Sequence, residues 1–168
     1  EPNIEVQSGI ALTASILNAY VSYLESGEES NLCDVLTFFE DILQKYQVPV
    51  ELVLRIGRSV LAILQKHETE SEEFRMSCNL YKVIVNSIER DVAKEILLIL
   101  IPHISEFVVV FTIANVIEEC PPLFQWLTSI HEFGIVLNYI ENNAESDFRL
   151  VSRFLTAFCV DPKHLMDT

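Results

Sequence analysis

Apolar residues return every three or four positions along almost the whole chain, the spacing of a helix face turned to a core. Ile10, Thr13, Ala14, Leu17, Val21 and Leu24 form the first such face, and Ser26-Gly27 marks its end. Asn31 is placed to cap a second helix carrying Val35, Leu36, Phe39, Ile42 and Leu43. Pro49 suits the first turn of a third, with Leu52, Val53, Ile56, Val60, Ile63 and Leu64. Ser71-Glu72-Glu73 is an acidic start for a fourth, which continues through Phe74, Cys78, Tyr81, Val85 and Ile88. Asp91 opens a fifth that Pro102 ends or kinks. A sixth is predicted from 103 to 119, with Cys120-Pro121-Pro122 as its terminator. Shorter helices begin at Leu123, Glu132 and Ser146, and Asp161-Pro162 starts a last one. No segment alternates in the strand manner, and VVVF at 108–111 runs on into a helical pattern. The expectation is an all-α fold of about eight or nine helices with short loops.

One segment asks for a second reading. EILLILIPHISEFVVVFTIANVIEE, at 95–119, is long enough on apolar content to cross a bilayer. Pro102, His103, Ser105 and Glu106 interrupt it, and a carboxylate at mid-membrane is costly. Its C-terminal flank is Glu118-Glu119, so the Lys/Arg signal that orients a span is missing. Two helices meeting at Pro102 and buried on nearly all sides are expected instead.

Composition narrows the class. The 168 residues are half hydrophobic with only 4 Gly and 6 Pro, which fits one folded domain and neither disorder nor low complexity. The chain opens at Glu1 without Met and without a basic-then-apolar leader, as expected of a piece of a longer protein. A net charge of -14 opposes broad binding to nucleic acid or to an anionic membrane. Cations are absent from 1–44 and from 95–148, and are concentrated in 45–94. The cysteines (Cys33, Cys78, Cys120 and Cys159) lie far apart beside apolar neighbours, in no C-x-x-C pair, and no N-x-[ST] sequon occurs. That usage predicts a reducing, intracellular location in nucleus or cytoplasm.

Helix ends echo one another. ILQKYQ at 42–47 returns as ILQKHE at 63–68, and N-x-I-E occurs at Asn86, Asn115 and Asn138. The spacings of Cys33, Cys78 and Cys120, each followed by bulky residues, hint at a longer period. Helical hairpins that stack to share one core give such periods, of about twenty and about forty residues. An irregular helical bundle with similar helix ends is the alternative. Within 71–158, FTIANVIEEC and GIVLNYIENNAESDFRLV resemble the end of a third armadillo helix and its turn into the next repeat. ERDVAKEILLIL resembles the second helix of a HEAT unit. The chain departs from the armadillo pattern in lacking the regular glycine of the first helix. This resemblance implies a right-handed α-solenoid of stacked hairpins. It also implies a groove in which Asn115 and Asn138, with Asn86, bond the backbone of an extended peptide.

Catalytic signatures are missing. His67, His103, His131 and His164 are scattered, and no H-E-x-x-H, G-x-S-x-G, P-loop or G-x-G-x-x-G is present. His103 and Glu106 share a helix face, a proton-transfer pair only if a cleft forms there; a helix start is the favoured account of both residues. Arg55 and Arg58, with Arg75 and Lys82 on the next helix, are candidates for a basic patch receiving an acidic peptide, a phosphate or nucleic acid. The plainer account is a solvated face bridged to Glu51, Glu72 and Glu73. Trp126, with Phe124 and Phe133, is a candidate anchor for a partner helix, or else part of the core. Ser26 and Ser71, followed by acidic residues, are candidate phosphorylation sites.

The expectation is therefore a non-enzymatic protein–protein interaction scaffold that holds a partner peptide or helix. No cofactor, metal or membrane is expected, and nucleic acid is contacted indirectly if at all. The alternative is an obligate assembly domain of a nuclear or chromosome-associated complex, with homo-oligomers among its forms.

Overall fold

The computed structural model describes residues 4–160, and all of the elements it describes are helical. They are α1 (Ile4–Ser26), α2 (Leu32–Lys45), α3 (Val50–Lys66), α4 (Glu72–Ile84) and α5 (Arg90–Leu100). A 3-10 turn (Ile101–His103) follows, then α6 (Phe107–Glu119), α7 (Pro121–Thr128), α8 (Phe133–Asn143) and α9 (Phe148–Val160). The expected helix at Asp161-Pro162 lies outside the described residues.

Local chemistry sets most of these boundaries. Gly27 takes a φ of 78°, the left-handed turn that ends α1. Ser71 caps α4, its hydroxyl accepting from the Phe74 N–H at 3.1 Å. Asn31 holds the N-cap position of α2 without a side-chain cap; its own N–H donates instead to the Tyr23 hydroxyl at 2.7 Å. Pro102 ends α5 as expected, but α6 starts only at Phe107, because Glu106 is extended and serves as its N-cap. Cys120 closes α6, and the two prolines begin α7 without a break, where a missing N–H does no harm.

The packing follows a simple rule. α1 rests on α3, α3 on α5 and α5 on α7, while α2 rests on α4, α4 on α6 and α6 on α9. Each helix also meets its chain neighbour across the α1–α2, α3–α4 and α5–α6 pairs. Between these two rows runs a cluster of buried side chains extending from Val21 to Phe154. Leu36 and Phe39 of α2 and Cys78 and Tyr81 of α4 are each fully buried, and burial of one large apolar side chain is worth about 1.5–3 kcal/mol.

The segment 95–119 needs a correction. Ile96, Leu97, Leu100, Val109, Val110 and Ile113 are buried, but Phe107 is 72% exposed and Leu98 37%. α5 and α6 therefore each expose an apolar side chain to solvent. Among the described residues no single helix is long and apolar enough to cross a membrane, and α6 with α7 is bent by 112°.

The echoes divide. The two ILQK segments do end helices, with Tyr46 N–H bonding the Ile42 carbonyl and His67 N–H the Ile63 carbonyl. The N-x-I-E copies are not equivalent: Asn86 is in the turn after α4, Asn115 within α6 and Asn138 within α8. Cys33, Cys78 and Cys120 likewise sit at the start of one helix, inside another and between two more. A four-residue pattern with one apolar position fits any amphipathic helix and carries no register.

Two packing details generate tests. A Cβ on Gly57 would meet Ile88 Cγ2 at 2.6 Å and Cβ at 3.0 Å. Gly57→Ala is therefore expected to destabilise by about 1–3 kcal/mol in urea unfolding. Ile88→Ala removes the 2.6 Å contact and leaves the one to Cβ at 3.0 Å, so the double variant is less destabilised than the sum of the singles. Ser77 Oγ is buried without a hydrogen-bond partner. Ser77→Ala is expected to leave stability unchanged or raise it by about 1 kcal/mol, read in the same unfolding curve.

Candidate interaction surface

α6 supplies more apolar surface than the core takes up. Val109, Val110, Ile113, Ala114, Val116 and Ile117 face inward. Phe107, Phe111, Asn115 and Glu118 follow at steps of four, four and three, so they share the opposite face. α4 and α9 flank that face, one on each side. Phe107 stacks on Phe111 with ring centroids 5.9 Å apart.

Two cations lie over Phe111. Lys82 Nζ of α4 is 4.8 Å from the ring centroid, and Arg153 Cζ of α9 is 4.9 Å. Their surroundings differ. Arg153 donates to Glu118 through Nε at 2.7 Å and Nη2 at 3.0 Å, and to Asn115 Oδ1 at 2.7 Å. Lys82 is half-buried with no carboxylate among the described residues in bonding range, and loss of hydration holds its pKa below the ordinary lysine value. The Glu40 carboxylate acts in the opposite direction from a distance.

The other expected residues are placed as follows. Asn86 Nδ2 donates to the Glu119 carbonyl at 3.0 Å, tying the turn after α4 to the end of α6. Asn138 is exposed on α8 and accepts from Asn142 at 3.2 Å, away from the face that carries Asn115. Trp126 packs half-buried against the core with Lys94 over its ring at 5.4 Å. Phe124 and Phe133 turn to each other and to Phe158, with centroids 5.5–6.3 Å apart, so they are internal.

The expected basic patch is dispersed. Arg55 pairs with Glu25 of α1, its Nε 2.9 Å from Oε2, and Arg58 with Glu89 at 2.7 Å. Arg75 pairs with Glu72 on its own helix at 3.3 Å. Of the three carboxylates expected as partners, only Glu72 is one. Lys82 of α4 lies over Phe111 of α6, while Arg55 of α3 turns to α1. A cleft of about 270 Å³ lies between the end of α1 and α3, lined by Arg55, Arg58, Lys66 and His67 with Glu25 and Glu29. Its charges are matched internally: Lys66 and His67 meet Glu29 at 2.8 and 3.1 Å.

Nothing in these groups points to bond chemistry. His103 and Glu106 are both exposed beside the 3-10 turn, where the Glu106 N–H donates to the His103 carbonyl. Among the described residues no cluster of His, Cys, Asp or Glu has the arrangement of a metal site. Burial pushes the Cys78 thiol up to about 12, far from a reactive thiolate. Ser26 and Ser71 hydroxyls already bond the Tyr23 and Glu68 carbonyls. No protein-family model, no curated protein and no solved structure matches this chain.

Phe107, Phe111 and Arg153 were not singled out by the sequence. Their signal was an i, i+4 aromatic pair inside a run too apolar for a single buried stripe.

The α1–α3 ion pairs make stability acid-sensitive. Bonding to Arg55 lowers the Glu25 pKa, and bonding to Lys66 lowers that of Glu29. A carboxyl depressed on folding contributes stability above its unfolded pKa and loses it as pH falls through the folded value. Arg55→Met is thus expected to lower the Tm at neutral pH, and to match the wild type once Glu25 is protonated in both states. Thermal melts across a pH series check this.

Proposed function

We propose that these helices form a right-handed α-solenoid of stacked hairpins, and that it serves as a non-catalytic interaction scaffold within a larger intracellular protein. Its ligand is a partner peptide or helix held on the face of the α2–α4–α6–α9 row. The observation that carries this reading is α6. It lies inside the stack, between α4 and α9, yet keeps Phe107 72% exposed and stacked on Phe111. An aromatic pair on an inner helix contributes little to the fold where it faces water, and such residues are enriched where proteins bind one another. The contact of each helix from α1 to α5 with the one two places along supports the stacked arrangement.

A second reading, as an assembly domain, draws on α1. Ile16 is 41% and Tyr20 37% exposed on that helix at the end of its row. Direct nucleic-acid binding through 45–94 is disfavoured, because Arg55, Arg58 and Arg75 are already paired with carboxylates.

Affinity capture from a cell extract with the purified chain, repeated with Asn115→Ala and Arg55→Glu, tests the scaffold. A partner lost with Asn115→Ala and kept with Arg55→Glu is the expected result. A partner kept equally by both variants rejects both surfaces. A mass that rises with concentration and returns to the monomer in Tyr20→Ser favours assembly instead.

A further inference from the structure

The face around Phe111 shows an asymmetry that says what it would hold. Lys45, Arg55, Arg58, Lys66, Arg75 and Arg153 each have a carboxylate partner between 2.5 and 3.3 Å away. Among the described residues the other cations are Lys82, Arg90, Lys94 and Arg149; Arg149 is exposed and Arg90 donates to Cys120 Sγ at 2.7 Å. The Lys82 ammonium rests on a ring, with no carboxylate among the described residues in bonding range. Lys94 is in a similar position over Trp126, but that ring packs against the core. Of these two lysines, Lys82 is the one whose ring stacks on an exposed one, Phe107.

The neighbouring groups leave the same vacancy. Arg153, also over Phe111, is occupied by Glu118 and Asn115 and so does not compete for a ligand. Asn115 uses its oxygen toward Arg153, which leaves its amide N–H groups as donors. The face thus presents an apolar platform, a half-dehydrated ammonium and an amide donor within about two helical turns. A basic segment, although favoured by the overall charge of -14, would set its cation against Lys82. An uncharged apolar segment would cover the ammonium without an oxygen partner, which is unfavourable.

We propose that this face binds a protein segment in which one aspartate or glutamate lies beside a bulky apolar side chain. The carboxylate bonds Lys82, the apolar side chain covers Phe107, and a backbone carbonyl of the segment accepts from Asn115. This assignment rests on the scaffold reading and adds to it the site and the chemistry of the partner.

Selection of a displayed library of random peptides on the 168-residue chain tests it, with the enriched peptides then synthesised and titrated. The expected outcome is enrichment of peptides that pair an acidic with a bulky apolar residue. Phe107→Ser and Lys82→Gln should each weaken them by about tenfold, the scale of one hot-spot contact. Lys82→Arg should retain most of the affinity. Changing the peptide's acid to its amide should weaken binding to the wild type by about tenfold and leave binding to Lys82→Gln unaltered. Helical circular dichroism of the variants should match the wild type, since Phe107 and Lys82 are outside the buried core. Enriched peptides without an acid, or an amide change felt equally by both proteins, overturn the proposal. Peptides that bind but ignore both variants also overturn it while leaving the scaffold intact. If no peptide is enriched and no partner is captured, both readings fall.

Discussion

Helix α4 has to be covered on several sides at once, and the rest of the architecture follows from that. Phe74, Ser77, Cys78, Leu80, Tyr81 and Ile84 are all buried, a span too wide for one neighbouring helix to shield. α2, α3 and α6 share the task. Tyr81 shows how strict the requirement is. Its ring is fully buried, and its hydroxyl donates to the Ala93 carbonyl of α5 at 2.9 Å. A phenol in such a place needs that acceptor, so α4 and α5 are fixed relative to each other by chemistry as well as by shape. Once α4 is enclosed, α6 lies beside it, and the outward face of α6 falls where Lys82 can reach Phe111.

The helices were legible because their determinants are local. The apolar spacing, the Ser71 cap, the turn at Gly27 and the break at Pro102 all act within a few residues of themselves. The surface was not legible, and the ion pairs show why. Arg75–Glu72 joins neighbours on one helix and is visible in the sequence. Arg55–Glu25 and Arg58–Glu89 join segments about thirty residues apart, and no spacing rule selects those partners over Glu51 or Glu73. α6 fails in a different way. Phe107, Val109 and Val110 belong to one apolar run, and periodicity cannot tell which of them faces water when nearly every position is apolar. Asn115 was singled out through a resemblance, and it does stand on the outward face. The structure adds Arg153, which holds its oxygen. Asn138 carries the same pattern and stands on α8, so the motif alone does not pick out one face.

Stability by itself accounts for one of the two cations over Phe111 and not for the other. Arg153 gains two bonds from Glu118 and one from Asn115 while joining α9 to α6, an arrangement that any fold with this packing would favour. Lys82 gains a ring contact and gives up hydration, an exchange that roughly balances at a half-exposed position. A neutral side chain of similar length would cover Phe111 as well and would not lose hydration. What the charge adds is attraction for an oxygen from outside the chain. The ammonium of Lys82 already lies over the ring with part of its water gone, so on the proposed reading a carboxylate arriving there would meet a cation held in place. Such preparation would lower the entropy lost on binding.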